Sequence, residues 1–404
     1  MIPVDEALRI VLAQVSSLPA EEVPLGEALG RILAADVASD VDMPPFDRSA
    51  MDGYALRAED ASSVPAVLEV MGQVRAGQMP RDAVGPGQAV QIMTGAPVPA
   101  GATAVQQVER TRSLDQGRRV EIVAAVEAGA NIAPRGSEVR AGEVVLSRGM
   151  PVTPAVMAVL SAVGAARVSV GCRPRVAVLV TGDELVGVAE KPAPGHIRNS
   201  NGYAVMAQAR LAGAEVLDLG VVPDDAGRIA AAVEPGLAAD VLLVSGGVSE
   251  GVYDLVEPVL QRFGVELLFT KVAIKPGAPL VFGRRGGTLV FGLPGNPVSA
   301  QVTFDFFVRA ALLRMQGATA VSRPTVEVEI AAGVKNRSGR RAHSPARVMW
   351  SFGRLLAEPL RSMGSADIVA HARANALLVM EAERLQAEAG ERLPAVLLGD
   401  LLSS

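Results

Sequence analysis

Cysteine is almost absent: Cys172 is the only one in 404 residues. That excludes an internal disulfide framework and a zinc site built on paired cysteines, and it fits a reducing, cytoplasmic setting. Histidine is nearly as scarce. His196, His343 and His371 stand far apart with no metal-ligand spacing, so each reads as a core or surface residue. Aromatics make up only 3% of the chain, so Val, Leu, Ile and Ala must fill its cores. No block of like charge stands out and the formal net charge is -5, which argues against nucleic acid and against a polybasic membrane contact. A membrane span is missing too. The longest uncharged stretch, between Arg148 and Arg167, is broken by Pro151, Pro154 and Gly164. It reads as a short buried helix with Thr153 as N-cap and Pro154 at the first helical position. At the N-terminus Asp5 and Glu6 stand where a secretory leader carries positive charge, and Val4, Leu8, Val11 and Val15 recur at helical spacing.

What is present is apolar surface and punctuation. Half the residues are hydrophobic, and 41 Gly and 27 Pro are spread between periodic segments. This length exceeds what one core fills, so about two to four domains are expected. From about residue 174 to 315, strand and helix alternate. Arg175–Thr181 is a continuous apolar run, as a strand buried on both faces requires. Helix 200–212, strand 216–222, helix 224–238, strand 240–244, helix 254–263, strands 279–282 and 288–291, and a helix from Pro297 follow. Such alternation predicts an open, doubly wound α/β sheet. Residues 43–140 and those beyond 320 are instead β-rich, with short strands such as 66–70, 89–93, 120–123, 325–330 and 376–380.

In such sheets ligands bind at the carboxyl ends of the strands. The polar and glycine-rich clusters fall there: Thr181-Gly182-Asp183-Glu184, Asp224-Asp225, Ser245-Gly246-Gly247-Val248-Ser249 and Leu293-Pro294-Gly295-Asn296-Pro297. Glycine turns and helix N-termini favour an anion. Asp183, Glu184, Asp224 and Asp254 supply oxygens suited to a hard cation such as Mg2+. Lys271 and Lys275 could meet phosphate or oxyanion charge, or simply neutralise the carboxylates at the rim. No dinucleotide fingerprint, P-loop, G-x-S-x-G elbow or zincin helix occurs. The residues alone define an anion- and metal-binding α/β domain with two β-rich attachments.

Longer motifs carry a resemblance. Phe46-Asp47-Arg48-Ser49-Ala50-Met51-Asp52-Gly53-Tyr54 closely resembles the segment that opens the second domain of the MoeA family, whose eukaryotic members include the gephyrin E domain. Ile92–Pro99, Thr181–Leu185, Ser245–Ser249, Lys275-Pro276-Gly277, Gly292–Ser299 and Ala374-Asn375 follow in the family's order. The resemblance implies four domains: an extended α/β region (1–42 plus 141–172), a β-rich second domain (43–140), an α/β molybdopterin-binding domain (173–318) and a C-terminal β-barrel (319–404). It implies a homodimer with the active site between subunits, and molybdate insertion into adenylyl-molybdopterin to give molybdenum cofactor and AMP, with Mg2+. Glu184, Asp254, Asp52 and Thr94 would be catalytic, and Glu184, Asp224 and Asp254 would hold the metal. Substrate contacts are expected from Asp183, Ser245, Gly246, Gly247, Ser249, Lys271 and Lys275, from Pro294, Asn296 and Pro297, and from Arg135, Glu138 and Arg340. A molybdopterin adenylyltransferase and molybdoenzyme maturation factors are the expected partners.

Four places depart from the family pattern. Ala133 stands where arginine is usual, Glu138 where aspartate is usual, and Glu250 where a small or apolar residue is usual. Ala342-His343-Ser344-Pro345 does not continue an arginine-aromatic-arginine motif begun at Gly339-Arg340, with Arg347 two residues further on. A forked guanidinium is hard to replace. The alternative reading is therefore a non-catalytic dimeric scaffold. A generic nucleotide-dependent phosphotransferase comes third, disfavoured by the missing P-loop.

Overall fold

The computed structural model describes residues 1–247, 255–351 and 353–403. It has two compact units. One comprises Met1–Ala35, Arg148–Thr153 and Arg167–Ser404, the other Asp36–Ser147 and Pro154–Ala166.

The first unit is built on a six-stranded sheet in the spatial order Glu215–Val222, Arg175–Thr181, Val241–Ser245, Thr288–Leu293, Pro279–Arg285, Glu266–Lys271. The first four strands are mutually parallel and the last two are antiparallel additions at one edge. Alternate residues of the central strands feed two cores, as the period of two demands. Val176, Val178, Val241, Leu243 and Phe291 pack with helix Asn201–Leu211 and with the long helical run from Pro297 to Met315. Ala177, Leu179, Leu242, Val244 and Val290 pack with helices Ala226–Gly236 and Val256–Arg262. The sheet is thus doubly wound. The N-terminal helix Val4–Ala13 adds Val4, Ala7 and Val11 to the first of these cores. Strand Glu266–Lys271 is absent from the sequence expectation: half-buried at the edge, it carries only the short apolar run Leu267–Phe269 between Glu266 and Thr270.

The last region of this unit closes on itself. Strand Arg341–Ser351 pairs with Arg354–Pro359, which pairs with Thr325–Ile330, then Arg392–Leu397, then Ala376–Met380, which returns to Arg341–Ser351. The ring is a five-stranded barrel, and closure removes the free edges an open sheet would leave. Asn375 stitches it by accepting from Val348 N–H at 2.7 Å and donating to the Val348 carbonyl at 2.9 Å, as a backbone partner would. One short strand of the α/β region, Ile274–Lys275, pairs in parallel with Arg341 and Ala342 of the barrel.

The second unit carries another six-stranded sheet, in the order Ala104–Gln107, Gly53–Leu56, Gln88–Ile92, Ala66–Val74, Arg119–Ile122, Thr111–Leu114. Its apolar residues also alternate between two cores, with Tyr54, Leu56 and Leu68 in one and Ala55, Val90 and Ile92 in the other. Gly53 is required sterically, since a Cβ there would lie 1.9 Å from the Gln106 carbonyl oxygen. Helix Pro154–Ala162 forms where the proline pattern placed it. No helix among the described residues is long and apolar enough to cross a membrane.

Candidate active site

The strand-end loops of the α/β sheet enclose two cavities on either side of the Leu293–Pro297 loop. The smaller, about 230 Å3, is lined by Thr181, Gly182, Glu184, Arg198, Asp224 and Ser245 with Gly246 and Gly247. The larger, about 500 Å3, is lined by Lys275, Pro294, Asn296, Lys335 and Arg340 and by the barrel segment Ala342–Pro345. Pro297 and Gly295 face the smaller space, Pro294 and Asn296 the larger.

Backbone lacing builds the smaller cavity. Ribbon Leu185–Val186 pairs with Ile197–Arg198, and Ile197 N–H donates to the Glu184 carbonyl at 2.8 Å, so Glu184 and Arg198 are presented together. Asp183 points elsewhere. Its Oδ1 accepts from Asp224 N–H at 3.0 Å and fixes the neighbouring loop, which makes Asp183 a brace for Asp224. Gly246 has φ +101°, and a Cβ on it would sit 2.4 Å from the Thr181 carbonyl oxygen, so the turn tolerates only glycine. The wall holds two orphans: Thr181 Oγ1 and Asp224 Oδ1 are buried without a hydrogen-bond partner. Buried polar atoms are rarely left unpaired, so these two are the natural contacts of a ligand.

Sequence reasoning missed Asn201. It is 9% exposed and its Nδ2 donates to Ser245 Oγ at 3.0 Å and to the Gly295 carbonyl at 2.8 Å, tying together three strand-end loops. The Asn-Ser-Asn run at 199–201 was its only local signal, and it reads equally as a helix cap; Asn199 does cap, accepting from Gly202 N–H at 2.9 Å.

The larger cavity takes its charge from loops braced by the barrel. Lys275 lies in register with Ala342. Arg340 follows a turn shaped by Asn336, a fully buried side chain that donates to the Arg340 carbonyl at 2.9 Å. Arg340 itself donates to the Ile274 carbonyl at 3.5 Å. Lys271 ends the edge strand and does not line this cavity. Charge is therefore segregated. The larger space has Lys275, Lys335 and Arg340 and no carboxylate among its lining residues, while the smaller has Glu184 and Asp224 with Arg198. Ser249 and Asp254, with Val248 and Glu250, lie outside the described residues.

The remaining candidates belong to the second unit. Asp52 and Thr94 are joined directly: Thr94 donates to Asp52 Oδ1 from its backbone N–H and from Oγ1, and these bonds hold the carboxyl below its ordinary range. Arg135 is engaged locally, its Nε donating to Asp42 at 2.6 Å and its N–H to Asp47 at 2.7 Å. Glu138 accepts from Arg48 at 2.6 Å. Ala133 pairs in register with Arg48 on the same two-stranded ribbon.

A doubly wound domain with glycine loops, Glu184 and Asp224 with Arg198 on one side of a strand-end loop and Lys275, Lys335 and Arg340 on the other, joined to a closed barrel, defines a multidomain α/β protein with paired strand-end cavities. Residues 2–164 match the family described as MoeA N-terminal region (domain I and II), residues 177–314 the "Probable molybdopterin binding domain", and residues 327–398 the MoeA C-terminal region (domain IV). A relative from Bacillus subtilis (strain 168), named molybdopterin molybdenumtransferase, is 34% identical, with 98% of this chain and 94% of the relative covered. Molybdopterin molybdenumtransferase 2 of Mycobacterium tuberculosis (strain ATCC 25618 / H37Rv) is 38% identical over 91% of this chain and 94% of its own. The crystal structure of the molybdopterin biosynthesis moeA protein from Pyrococcus horikoshii OT3 matches with TM-score 0.84 at 32% identity, covering 98% of this chain and 100% of that one. The chain belongs to the MoeA family.

Proposed function

We propose that this chain inserts molybdenum into adenylyl-molybdopterin, taking molybdate and releasing molybdenum cofactor and AMP. The chain is a transferase of molybdenum cofactor biosynthesis. The observation that carries the fuller reading is the segregation of charge across the Leu293–Pro297 loop. Lys275, Lys335 and Arg340 form a cation-lined space suited to molybdate or pterin phosphate, next to a glycine-walled space suited to the pterin side.

The smaller cavity fits a hard cation. Asp224 Oδ1 is buried and unpaired, and Glu184 lines the same wall, so the donors are carboxylate oxygens of the kind Mg2+ prefers. No group of three or more potential ligands is assembled among the described residues, so Glu184 and Asp224 would hold the ion together with waters, substrate oxygens and Asp254. Mg2+ bound there would supply neutralising charge to the phosphates. The protein's own task is orientation. Asn201 holds Ser245 and Gly295 in place, Asp183 holds Asp224, and the barrel holds Lys275 and Arg340. Positioning and charge complementarity are the terms such a transfer needs. The dithiolene sulfurs come from the pterin, so a single cysteine suffices.

The reading extends to a cytoplasmic homodimer, in which Asp52 and Thr94 of one subunit complete the site of the other. Its support is the likeness of the Ser-Ala-Met-Asp-Gly-Tyr motif to the family's. A preceding adenylyltransferase is the expected donor, since handing over a labile pterin favours contact.

The decisive experiment measures molybdate-dependent AMP release from adenylyl-molybdopterin by the purified protein, with and without Mg2+. Release requiring both ions is expected. A folded protein that binds the pterin and releases no AMP would replace the transferase with the scaffold.

A further inference from the structure

Lys335 and Arg340 both line the cationic cavity, and one short turn, 335–340, carries them. Within it the Asn336 side chain is 0% exposed, whereas Lys335, Arg337 and Gly339 are exposed. A buried amide is costly unless its polar atoms are used, and here both are. Nδ2 donates to the Arg340 carbonyl at 2.9 Å and to the Glu381 carbonyl at 3.2 Å. Oδ1 accepts from Ser338 N–H at 3.1 Å and from Ser338 Oγ at 2.6 Å. The Asn336 backbone N–H donates to the Leu385 carbonyl at 2.8 Å. Gly339, at φ +61°, lets the chain double back to Arg340.

The turn is also fixed at its ends. Lys335 stands in register with Gln386. At the other end Arg340 donates to the Ile274 carbonyl at 3.5 Å, and Arg341 stands in register with Ile274. The backbone under both cations is therefore set before any ligand arrives. Arg341, next in the chain, is neutralised by Asp5 and Glu381. Lys335 and Arg340 have no carboxylate partner among the described residues. Two unneutralised cations on one rigid turn repel each other, and a dianion held by both removes the repulsion.

We propose that Asn336 is a positioning residue of the oxyanion site, setting the spacing at which Lys335 and Arg340 meet the anion, and that Lys335 is a binding cation of that site. This rests on the transferase reading of the cavity and names what fixes its grip on molybdate. No family motif singled out either residue. Asn336 touches no substrate and acts only through its neighbours. Loosening the turn should therefore weaken capture of the oxyanion and leave the steps in the smaller cavity, across the Leu293–Pro297 loop, unaltered.

The test titrates molybdate alone into the full-length protein by calorimetry and, separately, follows AMP release at varied molybdate. Lys335→Met, at an exposed position, should bind molybdate about fivefold more weakly. Asn336→Ala should weaken it about tenfold, raising KM for molybdate by the same factor with kcat held within about twofold. In the Lys335→Met background the cost of Asn336→Ala should shrink well below tenfold, because one of the two groups it positions is gone. An undiminished cost there would mean that the asparagine merely supports the barrel, and would overturn the proposal. Unchanged molybdate affinity in Lys335→Met overturns it even if Asn336→Ala does not fold. Wild-type protein without saturable molybdate binding also overturns it, while AMP release by the same sample would keep the transferase reading. Molybdate binding that Lys335→Met and Asn336→Ala weaken as expected, with no AMP release, would do the reverse.

Discussion

Thr94 reaches the same oxygen of Asp52 twice, from its backbone N–H at 2.7 Å and from Oγ1 at 2.8 Å. Asp52 belongs to the Ser-Ala-Met-Asp-Gly-Tyr segment and Thr94 to the loop after the neighbouring strand Gln88–Ile92. Two donors on one carboxylate oxygen stabilise its charged form. Thr94→Val removes the side-chain donor and leaves the backbone one. The Asp52 carboxyl should then titrate higher, closer to an ordinary aspartate, in an NMR pH titration. The acid limb of molybdate-dependent AMP release should move up in pH with it. An unchanged Asp52 titration would show that the hydroxyl contributes nothing to its charge.

Glu184 lines the smaller cavity while its backbone, not its carboxylate, ties the loop together through Ile197. Glu184→Ala should therefore yield a folded protein with unchanged thermal unfolding and AMP release reduced at least about a hundredfold. An unfolded product would place Glu184 among the structural residues instead.

Asn201 makes a different prediction, because both its bonds are internal. Asn201→Ala leaves Ser245 Oγ and the Gly295 carbonyl without their donor in a buried place, which costs about 1–3 kcal/mol in urea unfolding. Loosened loops should also weaken pterin binding more than they slow turnover of bound substrate. Saturation kinetics separate these, with KM rising and kcat nearly held.

His343 predicts a pH dependence of stability. In the unfolded chain the ring has its ordinary pKa of 6.5; in the fold, burial first and the Arg341 charge second lower it to about 3. The unfolded state therefore takes up a proton that the folded state refuses. The stability held above pH 6.5 falls as pH drops, by about 1.4 kcal/mol per pH unit until the folded pKa is reached. Urea unfolding at pH 6.5 and 5.0 should differ by about 2 kcal/mol more in the wild type than in His343→Phe. Equal losses in both proteins would show that the ring is protonated in the fold.

The α/β region was legible because buried parallel strands read as apolar runs and the glycine loops fall at their ends. Arg175–Thr181 and Val241–Ser245 are almost wholly buried, and their β-branched residues and short length suit strands covered on both faces. Barrel strand Arg341–Ser351 was not legible. His343, Ser344 and Pro345 interrupt its apolar pattern, yet His343 is buried on the barrel's outer face against Phe306 and Pro345 takes its place in register with Leu377. Barrel closure is a non-local fact that no window of sequence contains. The site shows the same division. Glu184, Lys275 and Gly246 stood out through their motifs, whereas Asn201 acts across 44 and 94 residues of chain and left no local mark. Nor could sequence tell that Asp183 would brace Asp224, or that Arg135 would be engaged by Asp42.

The pairing of Ile274–Lys275 with Arg341 and Ala342 makes one strand common to the α/β region and the barrel. A shared strand couples their melting. Should the barrel open in a subglobal fluctuation, the Lys275 amide, which pairs with the barrel strand, loses its hydrogen bond in the same event, whereas Ile274 N–H keeps its local bond to the Val272 carbonyl. Native-state hydrogen exchange should then show the Lys275 amide opening with the same free energy as the barrel amides of Arg341–Ser351, and not with the slower central strands. The basic loop would be only as durable as the barrel, so damage to a distant barrel residue would be felt first as a loss of anion affinity.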